Sequence, residues 1–371
     1  MRITKVSGLA YRQAIHHRHA VVQAGANTRH WHETVLVRVE TDSGHVGWGE
    51  GFGHFGASPV TLAALHNLIA PLCCGAVLKT PQALGAELER KLHPLGASGP
   101  VTYALSGLDI ALWDVLGKAR GQSISAMLAE QPATTLPAYA SLIRYAEPDL
   151  VAEECRAAVS RGYGAVKLHE TTAQAVRAAS EVTKPRKLPL MVDVNCAWSV
   201  DEALGVLSQL RDIPLHWLEE PTWPPDSLSA LGRLRQPGGP AIAVGENAFS
   251  RWTLAEMAAT GVVDILQPSV TKLGGISGLI EVMRAAKTHS VGVAPHSPYF
   301  GPGLAATLHV FAALAPTAWI EHLFYDLETG PFGGDLNPVE GRFKVPQGPG
   351  LGVTPDLALL EHLRVAHPVD A

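Results

Sequence analysis

From about residue 136 onward, the chain repeats one order of elements: a short apolar run, a loop and an amphipathic helix. Seven of eight such runs are followed within a few residues by a helical pattern, as in DEALGVLSQLR at 201–211. Units of about 25 residues that alternate strand and helix predict an α/β fold, a (β/α)8-type barrel with functional residues at the carboxyl ends of its strands. The predicted strands are 136–141, 165–168, 190–194, 215–218, 241–245, 263–267, 291–294 and 318–320.

The first hundred residues show a different pattern. Residues 34–50 alternate apolar and polar side chains around the turn Asp42-Ser43-Gly44, which predicts a β-hairpin. An antiparallel sheet followed by helices predicts a separate α+β domain. The last segment of the chain is too long to be one further barrel helix, so we expect it to return to this domain. The predicted helices of the domain are 60–72, 81–92 and 102–119.

The composition excludes several classes of partner. A net charge of −5 and a pI near 6.4 give no electrostatic basis for binding nucleic acid or an anionic membrane. No apolar stretch approaches the roughly 20 residues that span a bilayer, and the start of the chain lacks the pattern of a signal peptide. The four cysteines have no metal-ligand spacing. We therefore expect a cytoplasmic protein with reduced thiols.

Three carboxylates follow three successive strands of the predicted barrel. Asp193, Glu219 and Glu246 stand 26 and 27 residues apart. Because the carboxyl ends of the strands meet at one face of a parallel barrel, we expect these side chains to converge. Carboxylate oxygens without Cys or His suit a hard cation, and Mg²⁺ is the ion that this pattern predicts. After the fourth strand either Glu219 or Glu220 could be the ligand, since strand alternation points only one of them inward.

Further polar side chains stand at other strand ends. Lys167 and His169 are two residues apart and share the inward face of the second strand. The lysine can bind a substrate carboxylate or exchange a proton, and the histidine titrates near neutrality and can act as a general base. His296, on the seventh strand, lies across the barrel, so proton carriers are expected on opposite sides of the metal. Ser269 and Glu321 end the sixth and eighth strands.

Together these motifs resemble the enolase superfamily, in the branch of mandelate racemase and muconate-lactonising enzyme, over nearly the whole chain. The resemblance implies a modified (β/α)7β barrel of the TIM type beneath an α+β capping domain. It assigns residues 1–125 to the cap, 126–325 to the barrel and 326–371 to a C-terminal segment that completes the cap. It also implies a homo-oligomer. The motifs that carry the resemblance are VLVRVETDSGHVGWGE, SGLDIALWDVLGK, MVDVN, WLEEP, GEN, LQPSVTKLGG and PGLGVTPD.

The family further implies an activity and roles for single residues. Mg²⁺ on the three carboxylates would stabilise the enediolate that forms when a proton next to a substrate carboxylate is removed. Lys167 would assist, Glu321 would hydrogen-bond the carboxylate, and Asn195 would contact the substrate. Lys272 is expected either at the rim of the site or on the surface. Cap residues near the mouth of the barrel are expected either to bind a polyhydroxylated or anionic substrate or to be solvated loop residues; they are His19, Trp31 and His54.

The chain departs from the family pattern at two positions. The family carries Lys-x-Lys on the second strand, whereas this chain has Lys167-Leu168-His169, so a histidine replaces the usual lysine base. The family often pairs its seventh-strand histidine with an aspartate after the sixth strand, and here Ser269 occupies that place. His296 thereby loses a charged, orienting partner. A simple copy of the racemase mechanism is therefore not expected.

The segment that follows the seventh strand indicates the reaction. Pro295-His296-Ser297-Pro298, followed by Gly301-Pro302-Gly303, resembles the acid-sugar dehydratases of the branch. We therefore expect a sugar acid or related hydroxy acid to be dehydrated to a 2-keto acid, with His169 as base and His296 as acid, or with these roles exchanged. The alternatives are a racemase or epimerase, a lactone cycloisomerase, and a metal-binding relative without turnover.

Overall fold

The N-terminal sheet is antiparallel, as predicted. The computed structural model describes residues 1–16, 30–235, 238–248 and 250–366. The hairpin turn is found where the sequence predicts it, with Gly44 in the left-handed region at φ 79°. The elements of this part are β1 Ile3–His16, β2 Trp31–Thr41, β3 Val46–Gly51, α1 Ser58–Ala64, a π-helix Leu65–Ile69, α2 Ala70–Cys73, α3 Pro81–Leu92 and α4 Pro100–Arg120, with 3₁₀ turns at His54–Gly56 and His93–Leu95.

Helix α4 packs unusually closely on β3 because both elements carry glycine at the contact. A Cβ atom on Gly49 would lie 2.0 Å from the carbonyl oxygen of Gly107, so neither position has room for a side chain. The helix begins with Pro100 at its first turn and ends at Gly121, whose φ of 64° closes it with a left-handed residue. The close packing fixes the cap sheet against the helix that also contacts the barrel.

In the described part of the chain, eight parallel strands alternate with seven helices, which confirms the predicted (β/α)7β arrangement. The strands are β4 Thr135–Ser141, β5 Val166–Leu168, β6 Leu190–Asp193, β7 Leu215–Glu219, β8 Ala241–Val244, β9 Ile265–Leu266, β10 Gly292–Val293 and β11 Ile320–Leu323. After the short α5 Ile124–Leu128, the barrel helices are α6 Pro148–Ser160, α7 Ala173–Thr183, α8 Val200–Gln209, α9 Leu228–Leu234, α10 Arg251–Thr260, α11 Gly275–Thr288 and α12 Pro302–Leu314, with a 3₁₀ turn at Lys184–Arg186.

The strands pair in sequence order, and β11 pairs with β4. β10 and β11 are therefore the two outer strands of this series, and hydrogen bonds join them beyond the end of β10. Ser297 donates its backbone N–H to Glu321 Oε2 at 2.9 Å and its hydroxyl to the Glu321 carbonyl at 3.1 Å. These bonds close the barrel at the face where the strands end.

Several strand ends differ from the prediction. β10 ends at Val293, so His296 lies three residues beyond the strand rather than on it; Pro295 has no N–H with which to continue the ladder. His169 likewise directly follows β5. The sequence pattern placed the end of the eighth strand at Glu321. Glu321 is instead the second residue of β11, because β11 pairs with β4 as far as Leu323.

The C-terminal segment contacts both parts of the molecule. Its elements are β12 Asp326–Leu327, β13 Arg342–Lys344, α13 Leu357–Leu363 and β14 Arg364–Val365. β14 pairs antiparallel with Ala10 and Tyr11 of β1, which matches the predicted return to the cap, and β12 pairs with the end of β1. β13 instead pairs with the barrel strand β4, which the sequence gave no reason to expect.

Two further expectations concern membranes and thiols. In the part of the chain that the structure describes, no helix has both the length and the apolar character needed to cross a bilayer. The four cysteines, Cys73, Cys74, Cys155 and Cys196, are all free.

Candidate metal centre and active site

Strand alternation directs a ring of polar side chains into the mouth of the barrel. Inside the barrel, Met191 and Trp217 belong to a buried apolar layer. Asp193 and Glu219 come two residues later on the same strands, so they point in the same direction, one layer nearer the mouth. The two carboxylates are also direct neighbours, because Asp193 pairs with Glu219 in the ladder between β6 and β7.

The three predicted metal ligands converge. One ligand oxygen from each of Asp193, Glu219 and Glu246 lies within 4.8 Å of the others. Glu246 comes two residues after β8, and the intervening Gly245 has a φ of 143° and no space for a Cβ atom, which would lie 2.8 Å from Gln267 N. Trp217 donates its indole N–H to Glu219 Oε2 at 3.0 Å and so fixes that carboxylate. The cluster can hold a metal ion through oxygen atoms alone.

Glu220 does not belong to this cluster, which resolves the choice between the two adjacent glutamates. Its Oε1 accepts the backbone N–H of Asn247 at 3.1 Å, and its Oε2 accepts the Asn247 side-chain amide at 2.7 Å. The thiol of Cys196 donates to the same Oε2 at 3.5 Å. Glu220 therefore ties the loop after β8 to the loop after β6, and Glu219 is the inward-facing member of the pair.

Lys167 lies at the base of the cluster and is buried among carboxylates. Its Nζ is 2.8 Å from Glu219 Oε1, 2.9 Å from Glu321 Oε1 and 3.3 Å from Asp193 Oδ2. Burial alone would lower the pKa of this ammonium, but the surrounding negative charges, Glu219 first, hold the pKa well above its usual value. Lys167 is therefore a fixed positive charge at this site.

One ammonium does not compensate the negative charge of the cluster. Burial, and then repulsion from Asp193, raises the pKa of Glu219 well above the usual value in spite of the adjacent Lys167. A carboxylate in this position remains ionised only when more positive charge is nearby. The donor set and its charge therefore fit a divalent cation held by oxygen ligands.

His169 contacts the metal cluster from the side of the second strand. Its Nδ1 lies 2.6 Å from the carbonyl oxygen of Leu142, which fixes a proton on Nδ1, and its Nε2 lies 3.2 Å from Asp193 Oδ2. Burial opposes a charge on the ring, but the Asp193 carboxylate outweighs it and raises the pKa of His169. Nε2 is consequently the nitrogen that can exchange a proton at the site.

His296 contacts the cluster from the other side. Its Nε2 lies 2.6 Å from Glu246 Oε2, and its Nδ1 lies 3.3 Å from Ser269 Oγ. The two histidines thus contact different carboxylates of the triad, His169 at Asp193 and His296 at Glu246. Their side chains are about one-fifth and one-eighth exposed, at 20% for His169 and 13% for His296, so both can reach a molecule in the mouth of the barrel.

Glu321 is held as an anion by its neighbours. Besides Lys167, it accepts hydrogen bonds from the Ser141 hydroxyl at 2.8 Å and from the Ser297 N–H at 2.9 Å. Burial would raise the pKa of Glu321, but Lys167 outweighs it and lowers the pKa to about 2. Ser141 ends β4, the first barrel strand, so the rule that functional residues follow barrel strands points to this residue as well.

The residues predicted to bind substrate lie in different surroundings. Asn195 is exposed beside the triad, with its amide 3.5 Å from Glu246 Oε1. Lys272 donates to Asn247 Oδ1 at 3.0 Å and lies 5.0 Å from the centroid of the Phe52 ring, so it stands at the rim of the site and not on the open surface.

The described cap residues that were predicted to bind substrate, His54 and Trp31, lie in different surroundings. His54 is buried, with its ring centroid 6.1 Å from that of Tyr299, which brings the cap to the segment after β10. Trp31 begins β2 and is 54% exposed, and no described hydrogen bond or ring contact joins it to the triad. His19 lies outside the described residues. Of the two described residues, the structure brings His54, and not Trp31, towards the site.

Sequence reasoning missed Tyr299, which is buried beneath His296. Its hydroxyl bonds to Ser269 and accepts a hydrogen bond from Thr271 Oγ1 at 2.8 Å. A tyrosine three residues after a candidate histidine is no signal by itself, because the turn that brings it back under the ring is visible only in the structure.

The chain matches family models and known proteins over most of its length. Residues 9–129 match the family model for the N-terminal domain of mandelate racemase and muconate lactonizing enzyme, and residues 150–359 match the enolase C-terminal domain-like model. The chain is 31% identical to D-galactarolactone cycloisomerase of Agrobacterium fabrum, over 90% of this chain and 92% of the relative. It is 30% identical to arabinonate dehydratase of Saccharolobus solfataricus, over 87% and 88%. A mandelate racemase/muconate lactonizing protein from Paracoccus denitrificans PD1222, solved in complex with magnesium, has a TM-score of 0.86 at 28% identity and 99% coverage of both chains.

Proposed function

The chain belongs to the mandelate racemase and muconate lactonizing enzyme branch of the enolase superfamily, and we propose that it is a Mg²⁺-dependent lyase that dehydrates a sugar acid or related hydroxy acid to a 2-keto acid. The relatives named as dehydratases and cycloisomerases support an enzyme that acts on sugar-derived acids. The observation that carries the proposal is the position of two histidines against different carboxylates of one cluster, His169 at Asp193 and His296 at Glu246.

Asp193, Glu219 and Glu246 would hold the ion, and the oxygen donors and buried negative charge of the triad support this assignment. Mg²⁺ bound there would neutralise the charge that develops on the substrate carboxylate as its α-proton leaves. Magnesium in the related Paracoccus structure also supports this choice of ion.

His169 removes the α-proton in this scheme. The Leu142 carbonyl holds the ring proton on Nδ1, which leaves Nε2 to take the proton from the substrate. Lys167, fixed as a cation between Glu219 and Glu321, places a positive charge beside the enediolate that results.

His296 acts on the leaving group. Its Nε2 is directed at the triad from the far side and is placed to donate a hydrogen to the β-oxygen of the substrate as the C–O bond breaks. The β-hydroxyl leaves as water with the hydrogen from His296, and the enol product tautomerises to the 2-keto acid. His169 then releases the α-proton to solvent and His296 regains a proton, so the net loss is one water. This division of roles rests on the histidine, His169, that this chain carries after its second barrel strand in place of the usual lysine base.

A cycloisomerase is the second candidate, and one observation favours it. The relative at 31% identity is named D-galactarolactone cycloisomerase. The same two histidines would serve if the leaving β-oxygen belonged to a ring, because the bond that breaks is again the C–O bond next to the enediolate. The two candidates differ only in whether the departing oxygen stays attached to the product.

Proton NMR of a pooled set of sugar acids, hydroxy diacids and their lactones, in D₂O with enzyme and Mg²⁺, tests the proposal. A 2-keto product that disappears with EDTA and with the ligand variant Glu246→Gln supports dehydration. A ring-opened product that forms only from a lactone identifies a cycloisomerase. Loss of the α-proton signal without a keto product indicates racemisation or epimerisation, and absence of exchange with every member of the set contradicts the proposal.

A further inference from the structure

Ser269, which replaces the aspartate of the family pattern, belongs to a buried chain of hydroxyl groups. Thr271 Oγ1 donates to Tyr299 Oη at 2.8 Å, the hydroxyls of Tyr299 and Ser269 are hydrogen-bonded to each other, and Ser269 Oγ lies 3.3 Å from His296 Nδ1. The three hydroxyl-bearing residues are no more than 1% exposed. The chain therefore ends on the ring of His296 and is closed to solvent along its length.

The hydrogen bond from Thr271 sets an order of donors for this chain. Because Tyr299 accepts the Thr271 proton, its own hydroxyl proton is available to Ser269. In this order Ser269 has its single proton left for His296 Nδ1, which can accept it. A nitrogen that accepts a hydrogen bond carries no proton of its own, so the neutral ring holds its hydrogen on Nε2.

An aspartate in place of Ser269 would act the other way, since a carboxylate would accept Nδ1–H and leave Nε2 with a free lone pair. The serine thus reverses what His296 offers to the substrate.

We propose that Tyr299 is a positioning residue that acts through Ser269 to hold His296 as the Nε2–H tautomer. In this form the ring presents a hydrogen to the departing β-oxygen, as a neutral imidazole can, and offers no lone pair to the α-proton. His169 is then the only base of the pair, which favours elimination over two-base racemisation. The role toward the substrate rests on the proposed function, whereas the tautomer does not.

Solid-state NMR of enzyme labelled with ¹³C,¹⁵N-histidine tests the tautomer at about pH 8.5, roughly two units above the usual histidine pKa. The signals that are lost in the spectrum of His296→Asn are assigned to the His296 ring. We expect a protonated Nε2 and an unprotonated Nδ1 in the native chain, a mixture of tautomers in Tyr299→Phe and Ser269→Ala, and a protonated Nδ1 in Ser269→Asp. Tyr163→Phe, which removes another buried hydroxyl, one bonded to His322, is the matched control and should leave the His296 signals unchanged.

A protonated Nδ1 in the native chain, or an unchanged ring in both Tyr299→Phe and Ser269→Ala, would overturn the proposal. These signals are recorded without substrate, so they test the tautomer of His296 even if the proposed reaction is wrong. With a substrate in hand, Tyr299→Phe should lower kcat about 10- to 100-fold, the range for residues that orient catalytic groups, with little change in KM. Equal losses in Tyr299→Phe and Tyr163→Phe would also contradict a positioning role.

Discussion

Lys167 Nζ lies 2.8 Å from Glu219 Oε1, and both side chains are fully buried at the base of the candidate metal centre. The same ammonium also contacts Asp193 and Glu321. The lysine is therefore the positive charge around which three carboxylates of the site are arranged. Its removal would leave buried negative charges without a partner.

We expect Lys167→Met to destabilise the metal-free protein by about 3–5 kcal/mol, the cost of breaking a buried ion pair. Mg²⁺ should restore part of this loss, because a cation at the triad replaces some of the missing charge. Urea unfolding in EDTA and in Mg²⁺ measures both effects. Lys184→Met, at an exposed lysine, is the control; if the two variants lost equal stability, the charge would not have this role.

The repeating pattern of the sequence predicted much of the candidate site. Eight strands and the positions of Asp193, Glu219 and Glu246 follow from strand periodicity and from the rule that barrel strands end at one face. The choice between Glu219 and Glu220 could not be made from alternation, because it depends on contacts with Asn247 that join two distant loops.

Contacts between the cap and the barrel could not be predicted from the sequence. Glu50 on β3 accepts the N–H of Gly303 at the start of α12, and Asp109 on α4 accepts the N–H of Ser277 at the start of α11. The pattern shows only a glutamate in a strand and an aspartate in an apolar helix. Their partners are more than 150 residues away along the chain, so no local rule connects them.

His169→Ala should abolish α-proton exchange, with a loss of at least about a hundredfold, as expected for a general base, while Mg²⁺ still binds. In the proposed mechanism the imidazole takes the proton at Nε2, but it supplies no atom to the carboxylate triad. Exchange in D₂O is followed by NMR and metal binding by calorimetry. His216→Ala, at an exposed position of β7, is the matched control. Undiminished exchange in His169→Ala would remove this residue from the mechanism.

The stability of the native protein should fall as pH rises, in part through Glu50. Burial raises the pKa of Glu50 to about 8 in the folded chain, against about 4.5 in the unfolded chain, so between these values only the folded state keeps the proton. The contribution is present below about pH 4.5 and is lost by up to about 1.4 kcal/mol per unit as pH rises to about 8.

Glu50→Gln should remove this dependence, because the amide oxygen can still accept the Gly303 N–H but cannot ionise. The variant should match the native protein near pH 5 and exceed it at pH 8 in urea unfolding. Glu130→Gln, at an exposed position, controls for the loss of one charge. Parallel stability curves for native protein and Glu50→Gln would show that Glu50 is ionised throughout.

Asp109 joins the cap to the first turn of α11. Its Oδ1 accepts the Ser277 N–H at 3.0 Å, and its Oδ2 accepts the Ser277 hydroxyl at 2.5 Å. The indole N–H of Trp113, one turn further along α4, donates to the same hydroxyl at 3.0 Å. The carboxylate thus satisfies a buried helix N-terminus that has no capping side chain of its own.

Asp109→Ala should therefore cost about 1–3 kcal/mol, since it leaves the partly buried Ser277 N–H without its acceptor, and Asp109→Asn should cost less because its amide oxygen can replace Oδ1. Ser199→Ala, which removes an exposed capping box at the start of α8, is the control and should cost about 1 kcal/mol. Urea unfolding at neutral pH compares the three. If Asp109→Ala lost no more than Ser199→Ala, or if Asp109→Asn lost as much as Asp109→Ala, the bond from the cap would contribute no more to stability than a surface cap.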